Sequence, residues 1–173
     1  MKKEVRGYTI EPGAANSSIR PLNYEVLDQS NKDMVDRIES FKAPWLEEKL
    51  LDKNVFKSRE EFQEAFLEFK KFVILSDKYD GSIAMTSEKV DEVWHQFILF
   101  TPQYHQFCEE TLGSYLHHEP TTSNSNPGEK RNFVDIYEAT FGDIPNMWNT
   151  ELEVCMSGGC LNTSCGMPAP EEE

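Results

Sequence analysis

The chain has 173 residues, 17 Lys and Arg against 31 Asp and Glu, a formal net charge of -14, and 38% hydrophobic residues. A domain of that size buries about 70% of the surface its unfolded chain exposes, so it needs no disulfide framework. The acidity excludes a phosphate-tracking surface and so predicts no nucleic-acid partner and no membrane partner; with no apolar run near the ~18 residues that span a bilayer and no signal-peptide pattern after Met1, the expectation is a cytoplasmic protein.

Residues 1–21 mix charge, Gly, Pro and Ser without periodicity and read as a flexible arm. Asn23 to Leu27 reads as a short strand or extended lead-in. From Ser30, Met34, Val35, Ile38 and Phe41 share one helical face, and Pro44 ends that helix and opens a second one carrying Trp45, Leu46, Leu50 and Leu51.

The strongest helical signal starts at Ser58. Ser58 and Glu61 have capping-box spacing, and Phe62, Phe66, Phe69 and Val73 recur at four, three and four residues. Glu60, Glu64, Glu68 and Lys71 fall opposite and read as its solvated face, and Asp80-Gly81 as the closing turn. Thr86 or Ser87 caps the next helix, with Val90, Val93, Trp94, Phe97 and Ile98 as its buried stripe. Thr101-Pro102 restarts a helix, Thr as N-cap and Pro at the first position, with Tyr104, Phe107, Cys108 and Leu112 inward and Gly113 as the left-handed stop. Ser114 to Pro120 reads as extended or turn, and Thr121 to Lys130 as an exposed loop. Phe133, Ile136, Tyr137 and Phe141 make a last core helix, with Ile144, Pro145 and Trp148 tucked back. The expected fold is all-α: a small orthogonal or bundle-like domain of five to six helices over residues 22–153, followed by a disordered Cys- and Glu-bearing tail over 154–173.

All four histidines fall between positions 95 and 118. On a helix Asp91 and His95 are four apart and share a face, a spacing that suits a carboxylate-oriented imidazole or two ligands to one ion. The segment after Gly113 can return a histidine towards them. Adjacent side chains in an extended stretch point oppositely, so one of His117 and His118 enters such a site. With Cys108 as a further candidate, the ligand types Asp91, His95, Cys108, His117 and His118 suit zinc or another transition metal, and Trp94 and Tyr104 are candidate pocket walls. The competing account is structural: Asp91 and His95 as a hydrogen-bonded pair, Cys108 as an inert core thiol, His105 facing solvent. No Gly-rich phosphate loop, nucleophile elbow or metalloprotease motif is present.

The run Val90-Asp91-Glu92-Val93-Trp94-His95, then Ile98-Leu99-Phe100-Thr101, Tyr104, Phe107-Cys108, Gly113, Leu116-His117-His118-Glu119-Pro120 and Phe141-Gly142 with Trp148 resembles the glycine-rich-domain-containing protein-like family, over roughly residues 30 to 150. The resemblance supports Asp91, His95, Tyr104, His117 and His118 as a constellation and names no reaction. The tail here is shorter and poorer in Gly than a glycine-rich domain.

Cys155, Cys160 and Cys165 recur five residues apart among glycines. Three such thiolates suit a soft metal, but the spacing is unlike a compact zinc knuckle. The 23 residues from Glu151 hold five Glu and no Lys or Arg, about a third of the net charge, so acid surrounds the thiols. Three functions follow: a metal-binding module using the His cluster and the Cys tail; a precursor whose acidic Cys tail is modified by a protein partner; or a hydrolytic enzyme using His95 or a bound metal.

Overall fold

The structure is a computed structural model that describes residues 18–79, 83–118 and 127–148. Among them are six α-helices and one 3-10 turn, and no strand: α1 (Gln29–Ser40), α2 (Pro44–Asp52), α3 (Arg59–Lys78), α4 (Glu88–Leu99), α5 (Thr101–Thr111) and α6 (Pro127–Phe141). The domain is all-α. No helix among these residues is long and apolar enough to cross a membrane.

Helix starts follow local side-chain chemistry. Asp28, Ser58 and Ser87 each accept from the backbone N–H three residues on, at Asn31, Glu61 and Val90, which satisfies a donor the first turn leaves without a partner. Ser87 rather than Thr86 takes the cap of α4; Thr86 Oγ1 is buried with no hydrogen-bond partner. Between α4 and α5 the expected Thr101 cap is replaced by a shared residue. Phe100 N–H donates to Phe97 O to close α4, and Phe100 O accepts from Tyr104 N–H to open α5, leaving Thr101 and Pro102 inside the first turn. Residues 24–26 form the 3-10 turn, not a strand, because Pro21, Asn23 and Tyr24 carbonyls are satisfied locally by Tyr24, Val26 and Leu27.

Helix α3 is the axis of the domain, contacting α1, α2 and α4. Every residue from Glu68 to Leu75 on it is buried, so that stretch is enclosed all round rather than one-faced. Phe69 meets Trp94, Phe97 and Phe107, and Phe72 meets Trp94, Phe133 and Trp148. The second set brings α6 and the segment after it against the side of α3 expected to be solvated. Glu68 and Lys71 are therefore 3% and 2% exposed. They survive burial because partners surround them: Lys71 Nζ donates to Glu68 Oε1 at 2.8 Å and to Tyr137 Oη at 3.1 Å, while Glu68 Oε2 accepts from Tyr137 Oη and Trp148 Nε1, both at 2.6 Å.

The chain before α1 also joins the core. Ile19, within the stretch expected as an arm, is 1% exposed, and Leu22 N–H donates to Thr140 O at 2.8 Å. Helix α6 begins at Pro127, inside the expected Thr121 to Lys130 loop. Residues 1–17, the Asp80-Gly81 turn and the tail beyond 148 lie outside the described residues.

Candidate metal centre

Two chain segments build the site. Helix α4 supplies Asp91 and His95 one turn apart, with His95 Nδ1 3.4 Å from Asp91 Oδ2. The segment after α5 supplies His118, whose Nε2 stands 2.8 Å from Asp91 Oδ1. The two imidazole rings are 4.5 Å apart between centroids. One potential donor atom from each of Asp91, His95 and His118 lies within 4.8 Å of the others. Two ligands on one zinc ion stand roughly 3.3 Å apart.

The return of His118 is built step by step. Gly113, at φ +71°, turns the chain out of α5 while its N–H donates to the Cys108 and Glu109 carbonyls. Tyr104 Oη then donates to Leu116 O at 2.5 Å and accepts from Trp94 Nε1 at 2.9 Å, so a buried phenol ties the returning strand of chain to α4. Burial pushes the Tyr104 phenol far up, which keeps it a donor to Leu116. Two residues on, the His118 ring lies 4.3 Å from Trp94 and its side chain is 10% exposed.

Alternation along this segment separates the two adjacent histidines. His117 turns out beside Tyr115, at 4.9 Å between ring centroids, and is exposed. His105 is also exposed and pairs with Glu109 on its own helix. Cys108 lies fully buried, its thiol pushed up by desolvation, and is absent from the donor group. Tyr104, expected as a pocket wall, is fully buried behind Trp94 and acts as its support. Cys155, Cys160 and Cys165 lie outside the described residues.

The gradient of exposure within the cluster is chemically useful. His118 is nearly buried, Asp91 is 31% exposed and His95 49%. The inner imidazole packs on Trp94, and the outer one, beside Asp91, faces solvent. A cleft of about 360 Å³ lies elsewhere, lined by Met34, Arg37, Asp77, Glu109 and Leu112 among others, and none of the three donor residues borders it.

No curated protein and no solved structure matches the chain. The match found is to the family model described as UCP032817-like, an uncharacterised family, over residues 32–134, more than half of the chain. That range holds the Trp94-His95 and Leu116-His117-His118 pieces on which the resemblance to the glycine-rich-domain-containing protein-like family rested. In the fold those pieces are a tilted ring contact and a hydrogen-bonded pair, Trp94 against His118 and His118 with Asp91, short features that do not by themselves specify a family. The expected membership is corrected accordingly: this chain belongs to the UCP032817-like family.

Proposed function

We propose that this helical domain binds one transition-metal ion, zinc by its donor chemistry, through Asp91, His95 and His118. The observation that supports it is the convergence of one carboxylate and two imidazoles, from segments 27 positions apart, with their donor atoms within 4.8 Å. Two nitrogen donors and one oxygen donor suit zinc and similar borderline ions better than calcium or magnesium, which take oxygen. Three protein ligands leave one coordination position, on the side where His95 meets solvent.

The test is equilibrium dialysis of the full chain against zinc under reducing conditions, followed by metal analysis, with circular dichroism to confirm folding. The wild type retains one zinc per chain, and His95→Ala and His118→Ala each lose it. His95→Ala removes an exposed ring and leaves the fold intact, so the test stands even if His118→Ala destabilises the domain. Absence of stoichiometric zinc in the wild type, or full retention in folded His95→Ala, overturns the proposal.

A further inference from the structure

The donor cluster and the last described elements share one layer of rings. The His118 imidazole rests 4.3 Å from the Trp94 ring, and Trp94 packs 5.3 Å from Phe72 on α3, all between centroids. Phe72 in turn lies 6.1 Å from both Phe133 of α6 and Trp148, which are 4.6 Å from each other. Trp94, Phe72, Phe133 and Trp148 are all buried, and in a close-packed interior one of them cannot shift without its neighbours shifting.

This layer meets the polar seam that fastens α6 to α3. Tyr137 Oη and Trp148 Nε1 each donate to Glu68 Oε2 at 2.6 Å, and Lys71 Nζ donates to Tyr137 Oη at 3.1 Å. Parting α6 from α3 removes both donors of Glu68 Oε2 and opens Phe72 to water in one step. These contacts are lost together, which makes docking a two-state element. We propose that metal binding at Asp91, His95 and His118 is coupled to the docking of α6 and Trp148 through Trp94 and Phe72, so that the ion latches α6 onto α3.

The inference rests on the metal-binding reading and gives that site a regulatory role. Trp94 acts on His118 twice. Its ring is the surface against which the imidazole packs, and its Nε1 donates to Tyr104, whose hydroxyl holds Leu116 two residues before His118. With α6 away, Phe72 loses Phe133 and Trp148 on one side and no longer pins Trp94 on the other. Both supports of His118 then loosen, and the ion binds more weakly. By linkage the same factor works in reverse: an ion that prefers the docked state makes α6 harder to release.

Two measurements on the full chain test the coupling from its two ends. Amide hydrogen exchange with and without saturating zinc reads the docking of α6, and the expected result is that zinc slows exchange in α6 by roughly tenfold. Zinc titration reads the reverse direction in Trp148→Ala, which removes the ring and the Glu68 donor, and in Trp148→Phe, which keeps a ring beside Phe72 without the donor. Affinity falls by roughly tenfold in Trp148→Ala and is largely restored in Trp148→Phe, although both variants lose the Glu68 hydrogen bond and unfold at lower urea. A merely structural role for Trp148 lowers the urea midpoint and leaves the affinity of the folded protein unchanged. Zinc that binds the wild type but leaves α6 exchange unaltered, or that binds folded Trp148→Ala as tightly as the wild type, overturns the coupling and leaves the three-residue site standing. An equal loss of affinity in Trp148→Phe overturns it as well. The exchange measurement needs no variant and decides the matter even where Trp148→Ala does not fold. No zinc binding at all removes both readings.

Discussion

Asp91 and His118 are 27 positions apart in the chain, yet Oδ1 of one stands 2.8 Å from Nε2 of the other. The pair joins α4 to the segment after α5, and with His95 one turn away on α4 it makes a three-donor cluster at the domain surface. How firmly it is held depends on the layer behind it, where Trp94 donates to Tyr104 and Tyr104 donates to Leu116.

Tyr104→Phe tests that layer. It leaves the Trp94 indole N–H and the Leu116 carbonyl without their shared partner in the interior, at a cost of about 1–3 kcal/mol in unfolding free energy. Because Leu116 sets the path of His118, zinc affinity falls by roughly tenfold. Urea unfolding and zinc titration of the same preparation measure both; a loss of stability with unchanged affinity separates the support from the site.

Gly113→Ala tests the turn. A Cβ meets nothing within 4 Å there, so the cost is conformational, arising from φ +71°, and amounts to about 1 kcal/mol. Thermal unfolding shows a lowered midpoint with no loss of helical signal in the folded state.

The buried Glu68 and Lys71 pair predicts strong non-additivity. Lys71→Met alone strands the Glu68 carboxylate in the core and costs about 3–5 kcal/mol, as does Glu68→Leu for Lys71, whereas the double replacement costs much less than either loss added to the other. A double-mutant cycle by denaturant unfolding gives the coupling; simple additivity contradicts the placement of both charges inside.

Lys70 gives the stability a pH signature. Its ammonium is buried against the end of α1, where it donates to the Glu39 and Phe41 carbonyls at 3.0 and 2.8 Å, and desolvation, with Lys42 nearby, lowers its pKa from 10.5 to about 8. Below about pH 8 both folded and unfolded chains hold the proton, and the contribution is flat. As pH rises from about 8 towards 10.5 the folded chain gives up the proton first, so the unfolded chain binds more protons and stability rises. Wild-type stability relative to Lys70→Met therefore increases over that range, by on the order of 1 kcal/mol. Urea midpoints at about pH 8 and about pH 10 show it.

Local chemistry was legible in the chain. Ser58 announced one helix start and the Thr86-Ser87 pair another, of which Ser87 makes the cap, and the Phe62, Phe66, Phe69, Val73 stripe announced the core face of α3. A helical stripe says which residues face inward but not how many neighbours a helix has. Glu68 and Lys71 therefore read as surface until α6 and Trp148 arrived on that side with hydroxyl and indole donors. Asp91 and His95 were readable from their spacing of four. The choice of His118 over His117 depends on the phase of an extended segment, which the Gly113 turn and the Tyr104 bond to Leu116 set through contacts between elements. The short strand or extended lead-in expected over Asn23 to Leu27 is a 3-10 turn instead, because three carbonyls find partners within the turn itself.

The proposed binding of one metal ion by Asp91, His95 and His118 is read most directly by long-range proton–nitrogen correlation spectroscopy of the four histidine rings during a zinc titration. The expected result is that the ring nitrogens of His95 and His118 shift together and saturate at one equivalent, while those of His105 and His117 stay in place. Zinc that moves His105 or His117 instead, or that leaves His95 and His118 unshifted at saturation, contradicts it.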